Sequence, residues 1–192
     1  YISRLGRVPN IEIVATASYG EELLPLLQKT PVDVLLLDVG VPTSKNNSNP
    51  YPMYQVMKKV IDLYPSLYIL VVSMYSERTL IESVMEAGAT GYLLKGDTTS
   101  MKELGSIILS IATGEIYFNK AIRDQLLKRS KQHNDVSLSP RQLEAMSICV
   151  AYPNLSNIQL AEKLRVAHST FRNLLSGAYI RLGVNNRSAA IA

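Results

Sequence analysis

Four short apolar runs constrain the fold of this chain more than any other feature of its sequence. Each run is rich in Val, Ile, Leu or Tyr, which is typical of strands that are buried on both faces. Helix-length segments follow the runs, so the pattern alternates between strand and helix. It predicts an α/β fold: a doubly wound parallel sheet with helices on both faces. The runs are IEIVA (11–15), VDVLLL (32–37), LYILVV (67–72) and TGYLL (90–94), and the helical segments are about 20–29, 52–63, 76–87 and 100–113.

The last third of the chain differs, because all of its periodic segments are helical and its charge is basic. Residues 1–118 carry 9 Lys and Arg against 12 Asp and Glu, whereas residues 119–192 carry 11 against 4. The sequence therefore predicts an α/β domain at 1–118, a linker at 119–137 and a small all-α domain at 138–192 that is suited to a polyanion. Its predicted helices are about 140–151, 156–165 and 168–182, with a short one from Arg187.

Composition excludes several classes of protein. Cys149 is the single cysteine, so the chain can form neither an internal disulfide nor a thiolate metal cluster. No apolar stretch approaches the ~18 residues that a membrane span needs, and no signal peptide is recognisable. A cytoplasmic location fits these features. The chain opens on Tyr1, in what reads as a helix, and we expect that an N-terminal strand is missing from it.

Polar side chains end three of the predicted strands. Asp38 follows VLLL, Ser73 ends LVVS, and Lys95 follows GYLL. Each alone is more typical of a solvated strand end, but carboxyl ends of parallel strands meet at one sheet edge, where ligands bind. A carboxylate, a hydroxyl and an ammonium group together are suited to phosphoryl transfer, with the carboxylate as nucleophile and ligand of Mg²⁺.

These segments resemble the receiver domains of bacterial response regulators. LLLDVGVP, LVVSMYSE and EAGATGYLLKG occur in the order of the family, and AGATGYLLK is similar to the NarL/FixJ subfamily. The resemblance implies that Asp38 is the phosphoacceptor, that Asp38 and the carbonyl of Gly40 bind Mg²⁺, and that Ser73 and Lys95 contact the phosphoryl group. It also implies that Tyr92 is the switch aromatic, although a packed strand residue is an equal alternative.

Two features depart from that family. Receivers hold Mg²⁺ with an acidic pair at the end of a first strand, and this chain begins after the place where that strand should be. Asp38 is therefore the one metal-binding carboxylate that the sequence identifies. In addition, the polar segment TSKNNSNPYP (43–52) predicts a loop that is longer than such a connection needs.

The helical segments carry the signals of a helix-turn-helix. Ser139 with Gln142 predicts a capping box, and Pro140 suits the first helical position. In the last long helix an apolar stripe faces the core. The opposite face carries Ser169, Arg172, Asn173 and Ser176, which suits a helix in the DNA major groove, whereas an ordinary solvated face is the alternative. The stripe consists of Phe171, Leu174, Leu175, Ala178, Tyr179 and Leu182.

Residues 137–192 resemble LuxR-type DNA-binding domains through LSPRQLEAM, LSNIQLAEKLRVAHSTFRNLL and IRLGVNNRSAA. The resemblance implies that Arg172, Asn173 and Ser176 face the bases, and that the final helix forms a homodimer contact. Arg181 and Arg187 suit phosphate contact or structural pairing about equally. Ala167 departs from the usual capping Ser, and Ser169 or His168 would have to replace it.

The leading hypothesis is a non-enzymatic response regulator that binds double-stranded DNA after a histidine kinase phosphorylates Asp38. The alternative is a pseudo-receiver transcription factor controlled by dimerisation, a ligand or a partner protein without phosphorylation. A phosphatase with an aspartate nucleophile is disfavoured, because Gly40 stands where such enzymes place a second acid.

Overall fold

The computed structural model describes residues 2–124, 137–184 and 186–192. Its strands are β1 (Val34–Leu37), β2 (Pro42–Ser44), β3 (Asn47–Pro50), β4 (Tyr68–Ser73), β5 (Gly91–Leu94) and β6 (Tyr117–Phe118). Four of them form a parallel sheet in the order β1-β4-β5-β6. This order follows from strand–helix–strand crossovers, and the parallel α/β prediction is confirmed.

Helices cover both faces of this sheet. In the first part of the chain they are α1 (Ile2–Leu5), α2 (Leu23–Lys29, after a 3-10 turn at Gly20–Glu22), α3 (Met53–Leu63), α4 (Arg78–Glu86), α5 (Thr98–Lys102) and α6 (Leu104–Ala112). Ile69 and Val71 of β4 pack in the cluster that contains residues of α3 and α4, whereas Leu70 and Val72 pack in the cluster that contains residues of α6. Successive strand residues therefore enter opposite cores, which explains why the sequence of β4 is apolar throughout.

The predicted strand at 11–15 is wrong. Residues 11–17 have no regular secondary structure, although Ile11 and Ile13 pack against the cluster that contains α6 residues. An extended segment becomes a strand only where a neighbouring backbone supplies hydrogen bonds. Among the described residues β1 pairs only with β4, so the segment 11–15 has no partner strand there.

The predicted loop at 43–52 is also wrong, since most of it forms a small antiparallel hairpin of β2 and β3. The following residue, Tyr51, donates its backbone N–H to the carbonyl of Val41 at 3.0 Å. Its ring occupies the space where a Cβ on Gly20 would lie, 2.0 Å from the nearest ring carbon. Glycine is therefore required at position 20 for the hairpin to pack there.

Two helical predictions need smaller corrections. The segment 100–113 is divided into α5 and α6 at Glu103, whose φ of −91° and ψ of 8° leave the helical region. Of the predicted linker at 119–137, residues 120–124 are helical and Ile122 is buried, whereas 125–136 lie outside the described residues.

The C-terminal part contains α7 (Pro140–Ala151), α8 (Asn157–Leu164), α9 (His168–Leu182) and α10 (Arg187–Ile191), close to their predicted bounds. The capping box of α7 forms between Ser139 and Gln142, and a second one between Ser156 and Gln159 begins α8. The apolar stripe of α9 is confirmed as core at Phe171 and at most of its other positions. No helix of the described residues is long and apolar enough to cross a membrane.

Candidate phosphoacceptor site and interdomain contact

The three polar strand ends meet at one edge of the sheet. Asp38 follows β1, Ser73 is the last residue of β4, and Lys95 follows β5. The ammonium of Lys95 forms an ion pair with Oδ2 of Asp38, and the backbone N–H of Gly40 donates to Oδ1 at 3.0 Å. The Asp38 side chain keeps 32% of its surface exposed. It is therefore a carboxylate with a fixed orientation that a phosphodonor can still reach.

Ser73 and Tyr92 lie beneath this carboxylate, and both are fully buried. The Ser73 hydroxyl accepts a hydrogen bond from the backbone N–H of Tyr75 at 3.1 Å, and the Tyr92 hydroxyl donates to the carbonyl of Tyr75 at 2.9 Å. Burial raises the pKa of Tyr92, while a hydrogen bond with Ser73 opposes that shift. Both side chains therefore fix the backbone at Tyr75, so a movement of either one would shift the segment after β4.

Asp38 supplies one donor group at this edge that suits Mg²⁺. The described residues contain no group of three His, Cys, Asp or Glu side chains that could hold a metal. Asp38 supplies one carboxylate, and Gly40, whose carbonyl the resemblance assigns to the metal, contacts it through its backbone N–H. Mg²⁺ commonly keeps several waters and binds through one or two carboxylates together with phosphate oxygens. Asp38 therefore fits as one ligand of such an ion.

The helix face that the sequence assigns to DNA is packed against the α/β part of the same chain. Arg172 is only 6% exposed. Its guanidinium donates to the carbonyls of Leu67 at 2.8 Å, Gly88 at 2.9 Å and Pro65 at 3.3 Å, and to the Thr90 hydroxyl at 3.2 Å. We call these four acceptors the arginine cage. In this conformation Arg172 is unavailable to a DNA base.

The cage solvates Arg172 without neutralising it, because none of its four acceptors carries a full negative charge. Burial lowers the pKa of Arg172 to about 10, so it stays protonated at neutral pH. The ring of Tyr68 lies 5.1 Å from the guanidinium, and the cage residues follow the C-terminal ends of α3 and α4. Aromatic faces and helix C-termini both favour a cation. A buried cation without a carboxylate partner nevertheless makes this packing of α9 on the α/β part costly.

Neighbouring residues of α9 belong to the same contact. Asn173 donates to the carbonyl of Glu86 at 2.9 Å, and His168 Nδ1 contacts the carbonyl of Pro65. Ser176 is buried and Ser169 is half-buried. The polar face of α9 is thus an interface in this structure, where the sequence suggested a free surface. The acceptors are mostly backbone carbonyls, which every residue possesses, so no sequence signal could have identified the cage.

The two remaining arginines of the predicted DNA surface contact the backbone of the helical part. Arg187 donates to the carbonyl of Leu155 at 2.7 and 2.9 Å and to that of Pro153 at 2.9 Å. Arg181 donates to the carbonyl of Ser137 at 2.8 Å. The sequence left phosphate contact and structural pairing open for these two arginines. In this structure both make structural hydrogen bonds.

The α/β part of the chain and its phosphoacceptor edge define the class of protein. Residues 2–105 match the family model of the response regulator receiver domain, and the chain belongs to that family. The helical part is shared as well, because relatives match along nearly the whole chain. The transcriptional regulatory protein LnrK of Bacillus subtilis is 25% identical over 193 residues, which cover 94% of this chain and 83% of LnrK. A nitrate/nitrite response regulator protein homolog of Haemophilus influenzae is 29% identical, covering 94% of this chain and 82% of the relative.

Solved structures of the response regulator RcsB share the whole fold. One, of two RcsB dimers bound to two parallel DNAs, superimposes with a TM-score of 0.56 at 20% identity, covering 99% of this chain and 88% of that one. Another, of RcsB from Salmonella enterica bound to a promoter in the presence of the phosphomimetic BeF₃⁻, has a TM-score of 0.56 at 22% identity and the same coverage. The resemblance of both parts of the chain to NarL/FixJ-type response regulators is confirmed.

Proposed function

We propose that this chain is a transcription regulator that binds double-stranded DNA under the control of phosphorylation at Asp38, and that the structure is its closed form. The observation that carries the proposal is the burial of Arg172. A face of Arg, Asn and Ser on the last long helix suits the major groove, yet this face is held by the receiver domain. Release of α9 is therefore a requirement for DNA binding.

Phosphorylation would proceed by attack of an Asp38 carboxylate oxygen on the phosphoryl group of a histidine kinase or small phosphodonor. The P–O bond to Asp38 forms as the bond to the donor breaks. Lys95 lies against Asp38 and would offset the added charge, while the Ser73 hydroxyl would donate to a phosphoryl oxygen. Mg²⁺, held by Asp38 and the Gly40 carbonyl, would supply further charge neutralisation.

Strands β4 and β5 connect the two ends of the proposed switch. Pro65 and Leu67 precede β4 and Ser73 ends it, whereas Thr90 precedes β5 and Lys95 follows it. A strand rises about 3.3 Å per residue, so the arginine cage and the phosphoacceptor edge lie roughly 17 Å apart. Movement of Ser73 and Lys95 towards a phosphoryl group would therefore act on the same strands that position the cage acceptors.

The released helix would present Ser169, Arg172, Asn173 and Ser176 to DNA. Arg pairs well with guanine and Asn with adenine, so these two would carry most sequence discrimination. We assign Arg181 and Arg187 mainly to the stability of the helical part, with phosphate contact secondary. A homodimer through the final helix would place two such surfaces on neighbouring half-sites. The LnrK relative is named a transcriptional regulatory protein, which supports this role.

The test uses the full chain with Mg²⁺ and acetyl phosphate. Intact mass should rise by one phosphoryl group in the wild type and not in Asp38→Asn. In a pool of random duplexes, the phosphorylated chain should retain DNA that Asp38→Asn does not retain. If the complete protein gains no mass but still selects DNA, it is a pseudo-receiver and phosphorylation control is excluded.

A further inference from the structure

The contact between α9 and the receiver domain contains one group that can change charge near neutral pH. This group is His168, the first residue of α9, and it sits one helical turn before Arg172. Both side chains contact the same carbonyl, that of Pro65. A titratable ring and a permanent cation therefore share one acceptor at the edge of the arginine cage.

The contact with Pro65 fixes which nitrogen of His168 carries the hydrogen when the ring is neutral. A carbonyl can only accept, so Nδ1 must carry the hydrogen that faces Pro65. Nε2 is buried and has no hydrogen-bond partner among the described residues. In the neutral ring that nitrogen holds only a lone pair. Protonation would add a buried N–H with no acceptor, which carries the full cost of desolvation.

Charge near His168 acts in the same direction. Burial lowers the pKa of His168 most, the positive charge of Arg172 lowers it further, and only the hydrogen bond to Pro65 raises it. The receiver segments in contact carry Tyr64 and Tyr68 beside Pro65, and Glu86 at the end of α4. Histidine is the side chain whose ordinary pKa puts its change of charge between about pH 5 and 8.

We propose that His168 is a pH-sensitive latch: protonation of its ring in mildly acidic conditions releases α9 from the receiver domain without phosphorylation. This inference rests on the closed form assigned under the proposed function. It adds a second input that acts at the interface itself, on the opposite edge of the sheet from Asp38. Released in this way, a charged His168 at the start of α9 would also favour a nearby phosphate.

The direction of the pH effect follows from the two states. In the open form the ring is solvated and its pKa is close to the ordinary value, whereas in the closed form it is lower. The open form therefore binds more protons, and closure is fully supported only above the ordinary pKa of histidine. This support is lost as the pH falls from there through the closed-form pKa. Acid opens the molecule, and alkali closes it.

The test measures closure directly and in the absence of any phosphodonor. Fluorophores at Lys29→Cys and Glu162→Cys, both exposed, report the separation of the two parts, because Cys149 is buried. The ratio of closed to open molecules should fall by about threefold to tenfold between pH 7.5 and 5.5. DNA affinity should rise over the same interval.

The matched variants are His168→Asn and His133→Gln. Asparagine places an amide N–H near the position of Nδ1, so it can donate to Pro65 but cannot titrate. The pH effect should disappear in His168→Asn and persist in His133→Gln, which removes the other histidine of the chain. A wild type whose closure does not change with pH, or a His168→Asn chain that still opens in acid, would overturn the proposal.

A second measurement covers the case in which His168→Asn does not close at any pH. With His133→Gln as background, a proton NMR titration follows the one remaining histidine ring. The ring must titrate within the pH interval over which the chain opens. Opening at a different pH would overturn the latch, whereas failure of phosphorylation to open the chain would overturn only the function proposed for Asp38.

Discussion

At the scale of single residues, the arginine cage shows how one side chain can serve two states. Within the described part of the chain, the hydrogen-bond acceptors of Arg172 are carbonyls and a hydroxyl, whereas DNA would offer it fully charged phosphates and guanine edges. A carboxylate in the cage would bind Arg172 more strongly and compete better with DNA. Because the cage carries no full negative charge, a modest change in free energy is enough to open the closed form.

Thr90→Val should loosen closure without changing the DNA surface. The variant removes one acceptor of Arg172, which is worth about 1 kcal/mol of closed-state stability. Because α9 is intact, DNA affinity of the unphosphorylated chain should rise by about fivefold. Fluorescence anisotropy with a labelled duplex measures this.

Thr90→Ser is the matched control, since it keeps the hydroxyl and should bind DNA like the wild type. Equal affinities for the Val and Ser variants would show that the Thr90 contact does not oppose DNA binding.

At the scale of elements, the helical part depends on how its helices begin. Ser156 caps α8 with its side chain, whereas Ala167 begins α9 with extended backbone (φ −61°, ψ 147°) and no side-chain cap. The sequence suggested that Ser169 or His168 replaces the missing cap, but His168 contacts the receiver domain instead. The start of α9 is therefore intrinsically weak and relies on the closed packing.

Ala167→Ser should stabilise the protein by about 0.5–1 kcal/mol, because its hydroxyl can accept from the first turn of α9 in the existing backbone geometry. Ser156→Ala should destabilise it by about 1 kcal/mol. Chemical denaturation of both variants measures the pair. If Ala167→Ser leaves the free energy of unfolding unchanged, α9 does not need a cap.

Arg187→Gln should destabilise the helical part by about 2 kcal/mol. Arg187 bridges two carbonyls of the turn between α7 and α8, and hydrogen bonds from charged donors are the stronger kind. Arg181→Gln, which loses one exposed contact to Ser137, is the control and should cost under about 1 kcal/mol. Thermal unfolding compares them. A larger effect on DNA affinity than on stability at Arg187 would reassign it to phosphate contact.

At the scale of the whole molecule, one sheet lies between the two candidate sites and connects them. Asp38 follows β1 at the carboxyl edge of the sheet, beside Ser73 of β4 and Lys95 after β5. The arginine cage lies at the amino edge, on the residues that precede β4 and β5. Coupling between two binding events is reciprocal as a matter of thermodynamics. If phosphorylation favours DNA binding, DNA must favour the phosphorylated form by the same factor.

DNA should therefore tighten the binding of BeF₃⁻ at Asp38 by about 5-fold to 150-fold, the usual range for coupled sites. Titration of BeF₃⁻ with and without a selected duplex measures this factor, and Asp38→Asn should show no response. An unchanged BeF₃⁻ affinity in the presence of saturating DNA would mean that the two sites are not linked through closure.

The sequence alone determined the parallel α/β fold, the three polar strand ends at Asp38, Ser73 and Lys95, and the helical boundaries of the C-terminal part with the capping box of α7. These features depend on local periodicity and on capping chemistry, which neighbouring residues in the chain specify. The strand predicted at 11–15 does not form and the hairpin at 42–50 was not predicted, because strands depend on a partner backbone. Only the tertiary structure decided that the polar face of α9 packs against the α/β part. The acceptors of Arg172 are mostly backbone carbonyls from distant segments, and every residue type has such a carbonyl.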